Sequence, residues 1–210
     1  MIKKIIFDLD GTLINSEYMF MDAYSYALKD INSNKNYSWD DIKLALGPNE
    51  IGVLKKLAPN EFEKCLKRFY AKEKELLSNV YVFKGIKEFL SSCRKKSIQL
   101  SVVTGRGKEH ANYFLKHFNL DLFFDCVLTG SELKDIKSEN IRLLIKDTLT
   151  EEVIYIGDTL KDVVAAKEAG TLSALCTWKD SLYIDKNNNI KADYIFNNVE
   201  ELNLLELHNV

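Results

Sequence analysis

The sequence predicts an α/β fold: a doubly wound, parallel, Rossmann-like sheet with a helical domain inserted after its first strand. Three observations predict it. Continuous apolar runs recur at Ile5–Phe7, Ile98–Val103, Val153–Ile156 and Leu172–Thr177, and a strand covered on both faces needs no polar alternation. Segments of helical period separate these runs, as in βαβ units. Between the first run and the next, residues 16–80 carry helical patterns and no convincing strand.

The elements follow in order. After Ile5–Phe7 the chain turns through residues 8–16, and Glu17 to Ile31 interleaves apolar and polar residues as an amphipathic helix does. The polar stretch Asn32 to Tyr37 closes it. Ser38, followed by Asp40 and Asp41, reads as the N-cap of a helix running to Leu46. Gly47-Pro48-Asn49 interrupts, Glu50 to Leu57 forms a short helix, and Pro59 stands near the first turn of a longer one ending at Leu77, where proline is tolerated. Tyr81 to Gly85 returns to the core. A helix Ile86–Lys96, the strand Ile98–Val103, a helix Lys108–Phe118 and a short strand Asp125–Thr129 follow. A helix Ile141–Lys146, the strand Val153–Ile156, a helix closing at Gly170 and the strand Leu172–Thr177 complete the alternation. A polar connector, Asp180–Ala192, then leads to a strand Tyr194–Phe196 and a terminal helix Val199–Leu207.

With 210 residues, 46% hydrophobic and 29% charged, the chain has room for one core domain and a modest insertion. Its net charge of −2, with Lys and Arg scattered, gives no reason to expect nucleic acid or a membrane as partner. No apolar run reaches the roughly 18 residues of a spanning helix, and the amino terminus shows no signal-peptide pattern. A cytoplasmic protein, monomeric or homodimeric, is expected. Cys65, Cys93, Cys126 and Cys176 have no paired spacing and read as buried thiols. His110, His117 and His208 show no ligand spacing; the first two read as helix-surface residues without chemistry.

Chemistry concentrates at strand ends. Asp8 and Asp10 stand two apart at the close of the opening strand, so the strand period sets them on one side, at the edge where open α/β sheets bind ligands. At an effective dielectric of about 20, two like charges about 4 Å apart repel by roughly 4 kcal/mol. A divalent cation answers that repulsion, and an all-oxygen ligand set favours magnesium. The other reading is an ordinary Asp-Gly turn, with Gly11 supplying the bend or a close approach to a ligand. Thr104-Gly105, at the end of another core strand, offers a hydroxyl and an N–H to a phosphate oxygen; Thr-Gly is also a common turn. Arg106 reads either as a bidentate clamp on an anionic substrate or as a solvated residue opening the next helix. Asp158 ends a strand and Asp162 lies one helical turn on, so both carboxylates can face one pocket. Lys43 and the other lysines of residues 16–80 either meet an anionic substrate or form a solvated face.

Asp8-Leu9-Asp10-Gly11-Thr12 resembles the first motif of the haloacid dehalogenase superfamily in its phosphatase form. Thr104-Gly105, a lysine ahead of a helix, and Gly157-Asp158 with Asp162 resemble the other three, in the family's order. The resemblance implies that Asp8 is the nucleophile and Asp10 the general acid and base. It also implies that Thr104, the Gly105 N–H and Lys137 bind the phosphoryl group. Asp8, Asp158 and the Asp10 carbonyl would hold Mg2+, and Asp162 would steady the metal shell or pair with the lysine. Lys137 is preferred over its rival Lys134 because Ser138 can cap the following helix. The sequence departs from the family where Gly105 replaces a frequent Asn and Ser138 a usual Pro. Residues 16–80 would be a helical cap of the C1 type, and residues 1–15 and 81–210 the core. The expected activity is magnesium-dependent hydrolysis of a small phosphorylated metabolite, in a subfamily similar to phosphoglycolate phosphatases and β-phosphoglucomutases. A phosphosugar mutase, an inorganic pyrophosphatase and a non-catalytic metal- or phosphate-binding module are the alternatives.

Overall fold

The computed structural model describes residues 1–31, 37–178 and 191–208. Its centre is a six-stranded, wholly parallel sheet of β1 (Lys4–Phe7), β2 (Gln99–Val103), β3 (Cys126–Leu128), β4 (Val153–Gly157), β5 (Leu172–Cys176) and β6 (Tyr194–Phe196), in the order β3-β2-β1-β4-β5-β6. The apolar runs are buried on both faces because alternate residues enter different cores. Ile5, Phe7, Leu100, Val102, Ile154 and Ile156 join one cluster, while Ile6, Val103, Val153 and Tyr155 join another. Helices α5 (Ile86–Lys95) and α6 (Lys108–His117) cover the first face; α7 (Lys137–Leu144) and α8 (Leu160–Ala169) cover the second. The winding reverses beside β1, and that reversal opens a crevice at the carboxyl ends of β1 and β4.

Helices α1 (Glu17–Leu28), α2 (Trp39–Ala45), α3 (Glu50–Leu57) and α4 (Phe62–Leu76) gather round a separate apolar cluster, in which the Tyr24 and Phe69 rings lie 4.6 Å apart. The two chain crossings into this helical insert are tied together: Asn15 N–H donates to Tyr81 O at 3.1 Å and Phe83 N–H to Leu13 O at 3.1 Å. Ser38 caps α2 in a capping box with Asp41, as its spacing predicts. Asn49 caps α3 by accepting from Gly52 N–H at 3.1 Å.

Three sequence expectations shift. The helix expected from Ile141 to Lys146 begins at Lys137 and ends at Leu144. Ser138 therefore lies inside it and does not cap it; Asp135 Oδ1 accepts from Lys137 N–H at 2.9 Å instead. Residues Pro59–Glu61 form a 3-10 turn before α4, and the terminal segment is a 3-10 helix, Val199–Leu204. Asn198 caps it with its side chain. The closing stretch Asn32–Tyr37 falls outside the described residues except at Tyr37, and the connector Asp180–Ala192 except at 191 and 192. Among the described residues no helix is long and apolar enough to cross a membrane.

Candidate active site

Three of the residues read from the sequence emerge from the carboxyl edge of the sheet. Asp8 follows β1, Thr104 follows β2 and Asp158 follows β4; registers pairing Phe7 with both Val102 and Ile156 bring the three ends side by side. The carboxylates of Asp8, Asp158 and Asp162 lie within 4.8 Å of one another, and all three residues are buried. Gly11 makes part of this convergence available. Its φ is +75°, and a Cβ there would stand 2.2 Å from Asp158 Oδ2, so a side chain would drive the carboxylate away. Gly11 does not itself line the adjoining cleft.

Protein donors meet both oxygens of Asp162. Thr159 N–H donates to Oδ2 at 3.0 Å and Thr159 Oγ1–H at 2.5 Å, in the capping box that starts α8. Oδ1 accepts from Lys137 Nζ at 2.6 Å, and the buried Tyr155 hydroxyl divides its one proton between Val103 O at 3.0 Å and Oδ1 at 3.2 Å. Lys137 Nζ also lies 3.3 Å from Asp8 Oδ2. Asp8 Oδ1, by contrast, is buried with no hydrogen-bond partner. Lys134 is turned outward onto Glu139 at 2.5 Å, so of the two lysines it is Lys137 that faces the acids.

The electrostatics follow from burial. Desolvation pushes the Asp8 carboxyl up to about 7, Lys137 opposes it, and Asp162 and Asp10 add to it. Burial, then Asp162, Glu17 and Asp8, raise Asp158 well above the carboxylate range. Burial would pull the Lys137 ammonium down, but Asp162 and Asp8 outweigh it and hold it well above its ordinary value. An excess of buried acid with an unused oxygen suits a hard cation, which restores the balance and prefers oxygen donors.

These groups form the floor of a cleft of about 750 Å³. Thr104 and Gly105 share that floor; Thr104 Oγ1 accepts from Arg106 N–H at 3.2 Å, leaving its own proton to donate. The opposite wall comes from the helical insert and is largely apolar, with Phe20, Leu44, Leu46 and Pro48, and Lys43 among them.

Two side chains depart from their expected settings. The solvated reading of Arg106 is overturned: the residue is 2% exposed. The guanidinium edges that the clamp reading would offer to a substrate are turned to two protein carboxylates, Asp10 and Glu73. His110 is likewise not a surface residue without contacts; its ring stacks on Tyr70 at 3.8 Å and its Nδ1 lies 2.9 Å from Glu73 Oε2. Sequence reasoning missed Glu73 because it sits in Lys72-Glu73-Lys74-Glu75, a charge run that reads as solvent-facing. Tyr155 carried a signal that went unused, as a hydroxyl within an otherwise apolar strand.

The model of the haloacid dehalogenase-like hydrolase family matches residues 5–176. Pyrophosphatase PpaX of Bacillus mycoides (strain KBAB4) is 26% identical over 210 residues, covering 96% of this chain and 95% of that protein. Among solved structures, a predicted phosphoglycolate phosphatase from Haemophilus somnus 129PT superposes with a TM-score of 0.78 at 25% identity, covering 97% of each chain. A candidate beta-phosphoglucomutase from Thermotoga maritima superposes with a TM-score of 0.72 at 25% identity, covering 98% of this chain and 99% of the other. Since the family match runs from the opening strand through β5, across every strand end that feeds the cleft, the chain belongs to the haloacid dehalogenase-like hydrolases and is a phosphohydrolase.

Proposed function

We propose that the protein is a magnesium-dependent phosphatase that hydrolyses a small phosphorylated metabolite through an aspartyl-phosphate on Asp8. The observation that carries this reading is the buried Asp8, Asp158 and Asp162 cluster with a single unpartnered oxygen, Asp8 Oδ1. Asp8 attacks phosphorus and displaces the alcohol, dividing one difficult displacement into two. Asp10 protonates the leaving oxygen and then takes a proton from the water that hydrolyses the aspartyl-phosphate. Thr104, the Gly105 N–H and Lys137 take up charge on the transferring group; such placement supplies most of the catalysis in phosphoryl transfer. Asp162 holds Lys137 in line by their 2.6 Å contact. Asp8, Asp158 and the Asp10 carbonyl would hold Mg2+, which when bound offsets the repulsion between a dianionic phosphate and these acids.

The test is release of phosphate from p-nitrophenyl phosphate with and without Mg2+. Activity is expected only with the metal, and Asp8→Asn should abolish it while leaving the fold intact. Full activity in that variant would remove Asp8 as nucleophile. A second reading, inorganic pyrophosphatase, is favoured by the full-length likeness to PpaX. Turnover of pyrophosphate in preference to a panel of phosphorylated metabolites would establish it.

A further inference from the structure

The two aspartates of the first motif have different surroundings. Asp8 faces the acid cluster, whereas Asp10 gives its carboxylate to Arg106: Nε lies 3.0 and 2.8 Å from the two oxygens and Nη2 lies 2.7 Å from Oδ1. The Ser16 hydroxyl also donates to Oδ1. The remaining terminal nitrogen of Arg106, Nη1, donates to Glu73 Oε1 at 2.8 Å, and Glu73 is a buried residue of α4 in the helical insert. Phe114 of α6 and Phe20 of α1 face the guanidinium, with ring centroids 4.0 and 5.1 Å away. One cation thus joins an acid and a ring of the core to an acid and a ring of the insert.

Holding the insert down does not require this arrangement. At the same seam Gly107 N–H donates to Glu50 Oε2 at 2.8 Å, and Asn49 N–H donates to Ser131 O at 2.7 Å. Gly52 packs so tightly there that a Cβ would lie 2.0 Å from Glu132 O. What Arg106 adds to these ties is its reach to Asp10. A general acid works only within hydrogen-bond reach of the oxygen it protonates, and small misplacements cost much of its effect.

We propose that Arg106 and Glu73 are positioning residues for Asp10, so that docking of the helical insert, through Glu73, sets the guanidinium that aims the Asp10 carboxyl at the leaving group. The proposal rests on the reading of Asp10 as general acid. It is tested by the ratio of kcat/KM for p-nitrophenyl phosphate to that for phenyl phosphate, in the presence of Mg2+. The nitrophenolate departs largely without a proton, whereas the phenolate needs one, so losing an aimed acid raises the ratio. Such a change in ratio is a readout that a merely structural role would not move.

Arg106→Lys keeps the charge and loses the fork; Glu73→Leu cuts the link to the insert and leaves Arg106 balanced by Asp10. Each is expected to raise the ratio about tenfold or more, toward that of Asp10→Asn, since general acid catalysis contributes about 10²–10⁴ in all. If Asp10→Asn raises the ratio while both variants slow the two substrates equally, the positioning role is overturned and the acid assignment stands. If Asp10→Asn leaves the ratio unchanged, the acid assignment fails and the proposal fails with it. Should Arg106→Lys not fold, as read by circular dichroism, Glu73→Leu decides alone.

Discussion

Two groups of buried charge share one cleft and are built on opposite principles. At the ends of β1 and β4, the acids Asp8, Asp158 and Asp162 cluster together, and one ammonium, Lys137, pairs with Asp8 and Asp162. At the seam between core and insert, Asp10 and Glu73 enclose Arg106, each of whose three nitrogens donates to one of these carboxylates, and His110 Nδ1 stands 2.9 Å from Glu73. The first group sets three acids against one ammonium and leaves Asp8 Oδ1 unsatisfied; the second sets two acids against one guanidinium that bonds to both. A larger excess with an unused oxygen marks a place that a ligand completes, and acids each bonded to one guanidinium mark a joint. The two should therefore respond to mutation with opposite signs.

The larger effect is expected at the joint. Arg106→Leu leaves Glu73 at 2% exposure and Asp10 beside it without their cation, and removing one partner of a buried pair costs about 3–5 kcal/mol. Urea unfolding of the metal-free protein should show a loss of that size. A loss below about 1 kcal/mol, the ordinary value for an exposed pair, would erase the contrast.

The acid cluster should behave in reverse, and more weakly. Asp158→Asn removes a carboxylate that burial and its acidic neighbours hold far above its ordinary value. Metal-free protein should gain about 0.5–2 kcal/mol at pH 7.5, as when a functional site is relieved of strain, and should lose the midpoint rise that Mg2+ gives the wild type. The pH dependence fixes the sign. An acid with a raised folded value binds more protons folded than unfolded, so stability falls as pH rises between the two values. For Asp8 that window runs from 3.8 to about 7. The advantage of Asp158→Asn should accordingly vanish near pH 4, where the wild-type Asp158 is protonated. An Asp158→Asn variant less stable than wild type at pH 7.5 without metal would show that the cluster is a joint as well.

The same difference explains what was legible in the sequence. Asp8 and Asp10 announce themselves by the strand period, and Asp158 and Asp162 by one helical turn, because local spacing fixes which side chains share an edge. The buried strands were equally plain, as apolar runs without alternation. Nothing local marks the joint: Arg106 reaches Glu73 across 33 residues and Asp10 across 96. Its partners meet only because the insert packs against the loop that follows β2. The start of α7 was missed for a related reason. Asp135 satisfies the Lys137 N–H from within the loop, so the helix begins before the serine that looked like its cap.

The smallest expected effect separates the two lysines that the sequence offered for one role. The Lys134 side chain is 66% exposed and paired with Glu139, whereas that of Lys137 is 14% exposed and lies between Asp162 and Asp8. A solvated ion pair contributes little to stability, and Lys134 stands outside the cleft lining. Lys134→Ala should thus leave phosphate release and the unfolding midpoint unchanged. Its one trace should be electrostatic: the hydrogen bond from Lys134 holds the Glu139 carboxyl below its ordinary value, so carboxyl-detected NMR should find Glu139 titrating higher in the variant. A loss of turnover instead would move the phosphate-facing lysine from the first turn of α7 to the loop before it, and Lys137 would then serve only to neutralise Asp162.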